Sequence, residues 1–121
     1  MGSTQQGLVR YLTLPTIVKL KVQIMSGYLI NKFEIVDSDM FEKYVEKVMP
    51  IIARHGGQVI VGNESAHLLE GTSAGMNVVI VFPTEADAIG FYESPEYQPV
   101  KDIRLKSTRN GVAVVSGSFG A

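Results

Sequence analysis

Met76-Asn77-Val78-Val79-Ile80-Val81-Phe82 is the stretch whose reading decides the fold. From Val78 to Phe82 it holds no polar residue, and four of those five positions are β-branched, which predicts a strand. A strand with one face in water alternates apolar and polar side chains; this one is apolar on both faces. Solvent on the second face would leave an apolar patch larger than monomers normally carry. The expected cover is a second copy of the chain related by a two-fold axis, sheet face against sheet face.

Downstream, Thr84 with Asp87 three residues on caps a helix packed through Ala86, Ala88, Ile89, Phe91 and Tyr92. Ser94-Pro95-Glu96 reads as a fresh helix start, and this second piece is expected to run to about Arg109. Gly111 then turns the chain into a last strand, Val112–Ser116. Upstream, Gly71–Gly75 reads as a turn, with Gln58–Val61 and Ala66–Glu70 as two short extended stretches before it. A helix opened by Asp37 or Ser38 precedes them, with Phe41, Tyr44, Val45, Val48, Met49 and Ile52 on one face. Pro50 is expected to kink it near its end and Gly56-Gly57 to stop it. Tyr28–Val36, after Gly27, is the first strand. Strand, helix, strand, strand, helix, strand predicts an α+β, ferredoxin-like βαββαβ fold, a four-stranded antiparallel sheet with two helices on one face.

The 121 residues suit one domain, and 45% hydrophobic against 19% charged residues excludes disorder throughout. A net charge of −1 argues against a nucleic-acid partner, and the absence of cysteine excludes disulfide scaffolds, iron–sulfur clusters and thiol catalysis. The most apolar stretch, Leu8–Met25, is interrupted by Arg10, Pro15, Lys19 and Lys21, so neither a membrane span nor a secretory signal is expected, and the expected location is cytoplasmic. Charge is unevenly placed. Residues 1–26 carry three basic groups and no acid, leaving eight basic and twelve acidic groups, net −4, in residues 27–121. The break predicts a folded unit over 27–121 behind an extension over 1–26, which is either upstream sequence or an added edge strand. Ile17–Ile24 alternates apolar and polar residues from Val18 onward, as such a strand would.

The chemistry-bearing residues are few. Tyr28, Tyr44, Tyr92 and Tyr97 have apolar bodies and polar tips, suited to a core or to orienting a ligand. Asn31 interrupts the apolar face of Leu29, Phe33 and Ile35; a buried amide needs partners, which a ligand or a bound water supplies. Tyr97 and Arg104 stand seven apart on a predicted helix, hence on one face. Arg104 either binds a carboxylate ligand or pairs with Glu70, Glu93 or Glu96. His55, in the last turn of a helix, reads as structural. His67, in an expected strand, faces solvent or a pocket. No metal site is expected from two histidines twelve apart. Gly71-Thr72-Ser73-Ala74-Gly75 has the spacing of a nucleophile elbow, but a strand follows where an elbow needs a helix, so it reads as a hairpin turn.

Several short runs together carry a resemblance. They are Gly27-Tyr28, His55-Gly56-Gly57, Leu69-Glu70-Gly71, Phe82-Pro83-Thr84, Tyr92 with Ser94-Pro95-Glu96-Tyr97-Gln98, and Arg104. In this order they resemble domain-of-unknown-function family 1330, over about residues 27–117. Gln58, Gly62-Asn63 and Val81 depart from residues common in that family. The resemblance implies a subunit of a dimeric α/β barrel and no particular activity. Two functions are therefore expected. One is a homodimeric small-molecule-binding or interaction module with a pocket between sheet and helices, lined by Tyr28, Asn31, Tyr44, Tyr92, Tyr97 and Arg104. The other is a cofactor-independent, monooxygenase- or isomerase-like enzyme on a small organic substrate, using His67, Tyr44 and Arg104. Neither calls for a metal, a cofactor or a membrane. An open cavity of roughly 300 Å³ holding Asn31, a tyrosine hydroxyl and a charged group is the expected sign of ligand binding.

Overall fold

The core strand of the sequence becomes an interior strand of the sheet. The computed structural model describes residues 26–119, so the expected edge strand in the N-terminal extension lies outside the described residues. The elements are β1 (Gly27–Ile35), α1 (Ser38–Arg54), β2 (Gln58–Asn63), β3 (Met76–Phe82), α2 (Glu85–Glu93), α3 (Gln98–Ser107) and β4 (Thr108–Gly117). The sheet runs β2-β3-β1-β4 with every neighbouring pair antiparallel, which is the ferredoxin-like order.

Register separates the two faces. Leu29 pairs with Ile80 and Val115, Asn31 with Val78 and Ala113, and Phe33 with Met76, so these side chains share the helix face. The buried core assembles there from Leu29, Phe33, Ile80 and Phe82 of the sheet with Phe41, Tyr44, Val48, Ile51, Ile52, Phe91 and Tyr97 from above. Of the expected α1 face, Val45 and Met49 stay partly exposed and Ile51 is buried in their place. On the opposite sheet face Ile30, Val61, Val112 and Val114 are 40–59% exposed, beside the half-buried Val79 and Val81. The second face is apolar, as the Val78–Phe82 run requires, and no helix among the described residues covers it.

Local chemistry sets the boundaries. The Asp37 side chain accepts from the Met40 N–H at 3.1 Å and opens α1, which runs through Pro50 to Arg54. It ends in a Schellman turn: the Gly56 N–H donates to Ala53 O and the Gly57 N–H to Ile52 O, with Gly56 at φ +78°. Thr84 caps α2 by accepting from the Asp87 N–H at 3.0 Å. The start of α2 lies so close to β1 that a Cβ on Gly27 would sit 2.4 Å from Thr84 O.

Three expectations change. Ala66–Glu70 is not a strand: β3 already has β1 on one side and Gln58–Asn63 on the other, so residues 64–75 form a loop. Ser94-Pro95-Glu96 is a turn and not a helix start. Ser94 is extended, as a residue before proline prefers, and its hydroxyl donates to Phe91 O at 2.8 Å, closing α2; the helix resumes only at Gln98. Among the described residues there are thus three helices, α2 and α3 being the two pieces expected after β3 with the second starting later. The last strand begins at Thr108, directly after α3. Lys32 pairs with Val112 but Glu34 with Arg109, so Asn110 and Gly111 together oppose Phe33 in a β-bulge, with Asn110 at φ +54°.

Candidate functional site

A polar seam crosses the layer between sheet and helices. The Tyr44 and Tyr97 hydroxyls are 2.9 Å apart and hydrogen-bonded. Arg104, one helical face below Tyr97, donates from Nε to Tyr97 Oη at 3.4 Å and from Nη2 to Tyr92 Oη at 3.3 Å. Its guanidinium lies over the Phe33 ring, 5.7 Å from the centroid. Arg104 is 3% exposed and has no carboxylate within ion-pair distance among the described residues. Asn31 is 4% exposed, and its Oδ1 accepts no hydrogen bond. Native proteins rarely leave such an atom unsatisfied.

The electrostatics fix the protonation states. Burial, reinforced by Tyr97, pushes the Tyr44 hydroxyl far above the usual phenol range, so Tyr44 keeps its proton and acts as a hydrogen-bonding hydroxyl. For Arg104, burial works against the charge, but Tyr97, Tyr44 and Tyr92 outweigh it and raise the pKa above the ordinary arginine value. The guanidinium is therefore a permanent buried cation.

Three cavities adjoin the seam. The first, about 130 Å³, opens between α1 and the β2–β3 side; Asn31 and Tyr44 line it with Val45, Val48, Met49 and Val78. Val45 and Met49, expected in the core, are its rim. The second, about 280 Å³, opens at the β4 bulge and is lined by Arg104, Tyr92, Thr108, Arg109, Asn110 and Ala113. The third, about 110 Å³, shares Tyr92 and Ala113 with it and is otherwise lined by Leu29, Ile89, Glu93, Val114 and Val115. A roomier depression, about 610 Å³ between α1 and α3, is a surface groove of mixed lysines and aspartates with no buried polar group. The expected cavity with amide, phenol and charge together is divided: Asn31 and Tyr44 face one space, Arg104 and Tyr92 the other.

Of the residues read from the sequence as site candidates, Asn31, Tyr44, Tyr92, Tyr97 and Arg104 meet in this layer. Tyr28 pairs with Val81 and Ser116 on the opposite sheet face. His67 is exposed in the 64–75 loop. Arg104 pairs with none of Glu70, Glu93 or Glu96. Glu96 accepts instead from Arg54 at 2.9 Å and from His55 at 3.1 Å, tying the end of α1 to the turn before α3. The bulge at Asn110-Gly111 escaped the sequence reading, although Asn-Gly is a dipeptide suited to positive φ. Among the described residues no three His, Asp or Glu side chains gather as a metal site, and no helix is long and apolar enough to cross a membrane.

The Glu96 cluster makes a pH prediction. The Arg54 hydrogen bond, then that of His55, holds the Glu96 carboxyl below its usual range. A lowered carboxylate pKa gives stability that is complete above the unfolded value and lost as pH falls through the folded one. Glu96→Gln is expected to lower the thermal midpoint slightly at neutral pH, the small effect of an exposed pair. The gap from the parent protein should close when melting is repeated at a pH below the carboxylate range. A gap that persists there would refer the effect to packing.

A family model described as Domain of unknown function (DUF1330) matches residues 26–118. The chain belongs to this family. The DUF1330 match spans every element that builds the seam. No curated protein sequence matches the chain. Solved structures similar to this DUF1330 chain include a protein of unknown function from Rhodopseudomonas palustris, at 12% identity and TM-score 0.67, covering 89% of this chain and 96% of that one. Another is a dimeric ferredoxin-like protein of unknown function from Thermobifida fusca, at 18% identity and TM-score 0.59, covering 79% and 93%. SnoaB, a cofactor-independent oxygenase from Streptomyces nogalater, is similar at 15% identity and TM-score 0.54, covering 79% and 95%. At these identities the likeness is one of fold.

Proposed function

We propose that this DUF1330 chain is a homodimeric small-molecule-binding protein that receives its ligand between sheet and helices. The observation that carries the binding half is the buried guanidinium without a carboxylate, in the same layer as a buried amide oxygen without a donor. A core built only for stability gains nothing from either, because unpaired buried polar groups cost free energy. The apolar outer sheet face supports the dimer, as does the dimeric state of the fold's relative from Thermobifida fusca.

The oxygenase similarity and the neutral Tyr44 hydroxyl, linked through Tyr97 to a fixed cation, favour one second reading. In it the layer is a cofactor-independent active site, with Tyr44 as a hydrogen-bond donor and Arg104 holding developing negative charge. Turnover by Tyr44→Phe equal to that of the parent protein would rule this out.

Both halves of the proposal are measurable. Light scattering at micromolar concentration is expected to give twice the 13.2 kDa chain mass, and Val114→Asp, which buries a charge in the sheet-face contact, should return one chain. A parent protein of single-chain mass sinks the dimer. For binding, a panel of small organic molecules titrated into labelled protein should move the amide signals of Asn31, Gly111 or Ala113. A panel that moves none of them sinks the ligand.

A further inference from the structure

We infer that the ligand carries a carboxylate, which enters at the β4 bulge and seats on Arg104 while its apolar portion lies along Tyr92 and Ala113 toward Ile89 and Val115. This deepens the small-molecule reading and rests on it.

A hydrogen-bond count points to the charge. A guanidinium offers five N–H donors. Arg104 uses one from Nε and one from Nη2, both at 3.3 Å or longer, and both to phenol oxygens. The Tyr44–Tyr97 pair holds two hydroxyl protons and consumes one in its own bond, so one more donor is left over. Tyr92 adds its own proton. The Arg104 end of the seam is therefore rich in donors and poor in acceptors, the unsatisfied Asn31 Oδ1 lying on the other cavity. Acceptor-only groups with a formal negative charge restore the balance, and a carboxylate matches the guanidinium edge in two parallel bonds.

The access route is visible in the backbone. Arg104 Nη1 points at the bulge: a Cβ on Gly111 would lie 3.9 Å from it, in ordinary contact, whereas the actual glycine leaves that space open. Arg104 lines the 280 Å³ cavity whose wall the bulge forms, so the buried cation borders an open space there. Arg109 lies there too, but Glu34 Oε1 is 3.7 Å from it, and Glu34 Oε2 accepts from Asn110 at 2.6 Å. Of the two cations lining this cavity, Arg104 alone has no carboxylate within ion-pair distance among the described residues, and a single unpaired cation suits a monoanion better than a phosphate. Past Tyr92 and Ala113 the walls are mostly aliphatic, through Leu29, Ile89, Val114 and Val115, with Glu93 as the one charged residue of that lining. Charge at one end and aliphatic surface at the other describe a small carboxylic acid with an apolar tail.

Hexanoate, hexanamide and inorganic phosphate, titrated separately into the full-length labelled protein at neutral pH, test this. Hexanoate is expected to bind saturably, moving the Gly111 and Ala113 amides and the Arg104 Nε–H. It should bind roughly tenfold to a hundredfold more tightly than hexanamide, the range of a lost charge-assisted pair. Phosphate should bind more weakly than hexanoate. Arg104→Gln should remove the preference for acid over amide. Because that variant can unfold, Ala113→Leu gives a second reading: it sits on an exposed strand position, keeps Arg104 and its tyrosines, and should block hexanoate by filling the groove. Equal binding of acid and amide at these signals would overturn the carboxylate while leaving small-molecule binding intact. Phosphate matching hexanoate would overturn the tail. Shifts confined to Val48, Met49 and Val78 would place the ligand in the other cavity and overturn the site. No shift with any of the three would also count against it.

Discussion

Tyr97→Ala is expected to cost the fold about 3–5 kcal/mol, the range for removing a large aromatic side chain from a packed core. Tyr97 is fully buried, with its ring 4.6 Å from that of Phe91, 5.6 Å from Tyr92 and 6.5 Å from Tyr44. Its hydroxyl bonds to both the Tyr44 hydroxyl and Arg104 Nε. Truncation therefore opens a cavity at the meeting point of α1, α2 and α3 and strands two polar partners at once. Tyr97→Phe separates these effects: it keeps the ring contacts and leaves the Tyr44 hydroxyl and Arg104 Nε short of a partner, for about 1–3 kcal/mol. Urea unfolding of the three proteins checks both. Alanine costing no more than phenylalanine would show that the ring packing contributes little.

Gly27→Ala is the second large effect, although it adds one methyl group. The new Cβ would lie 2.4 Å from Thr84 O, 2.5 Å from Glu85 N and 2.5 Å from Glu85 Cα. All three are backbone atoms at the capped start of α2, with the fully buried Ala88 one turn on, so no rotamer change relieves the overlap. Either β1 or the helix must move, and the cost should reach or exceed the upper end of the roughly 1–3 kcal/mol typical of overpacking. The same chemical change at Gly90 makes the contrast. That residue lies inside α2, and a Cβ there would meet nothing within 4 Å. Gly90→Ala should raise stability by about 0.5–1 kcal/mol through helix propensity. Thermal or urea unfolding of both variants reads the two signs, and a neutral Gly27→Ala would mean that α2 is not held against β1.

The sequence carried the architecture because periodicity carries it. The unbroken Val78–Phe82 run identified an interior strand apolar on both faces, and α1 showed its core stripe through Phe41, Tyr44, Val48 and Ile52. Asn31 stood out as a polar residue in an apolar row, and it is the residue left with an unsatisfied oxygen. What stayed hidden depends on contacts distant in sequence. Glu96 was a plausible partner for Arg104 by spacing, yet Arg54 and His55 reach it from the end of α1. His67 was placed on a strand by local composition, but β3 has only two edges and other strands occupy both. Tyr28 reads like the other tyrosines until the pairing with Val81 assigns it to the outer face. The bulge at Asn110 and Gly111 is a count of residues across two strands, which local propensity does not contain.

The join between α3 and β4 has a consequence of its own. Ser107 ends the helix and Thr108 begins the strand, and Ser107 O accepts from both Val36 N at 2.9 Å and Asp37 N at 3.2 Å, pinning that corner. The chain has no slack there, whereas residues 64–75 can lengthen at little entropic cost. A single residue inserted after Ser107 would turn β4 over, because a strand exchanges its faces with every one-residue slip. Ala113 and Val115 would trade places with Val112 and Val114, and the groove wall and the outer sheet face would be lost together. Natural variants of this fold should therefore differ freely in length before β3 and hold their length between α3 and β4.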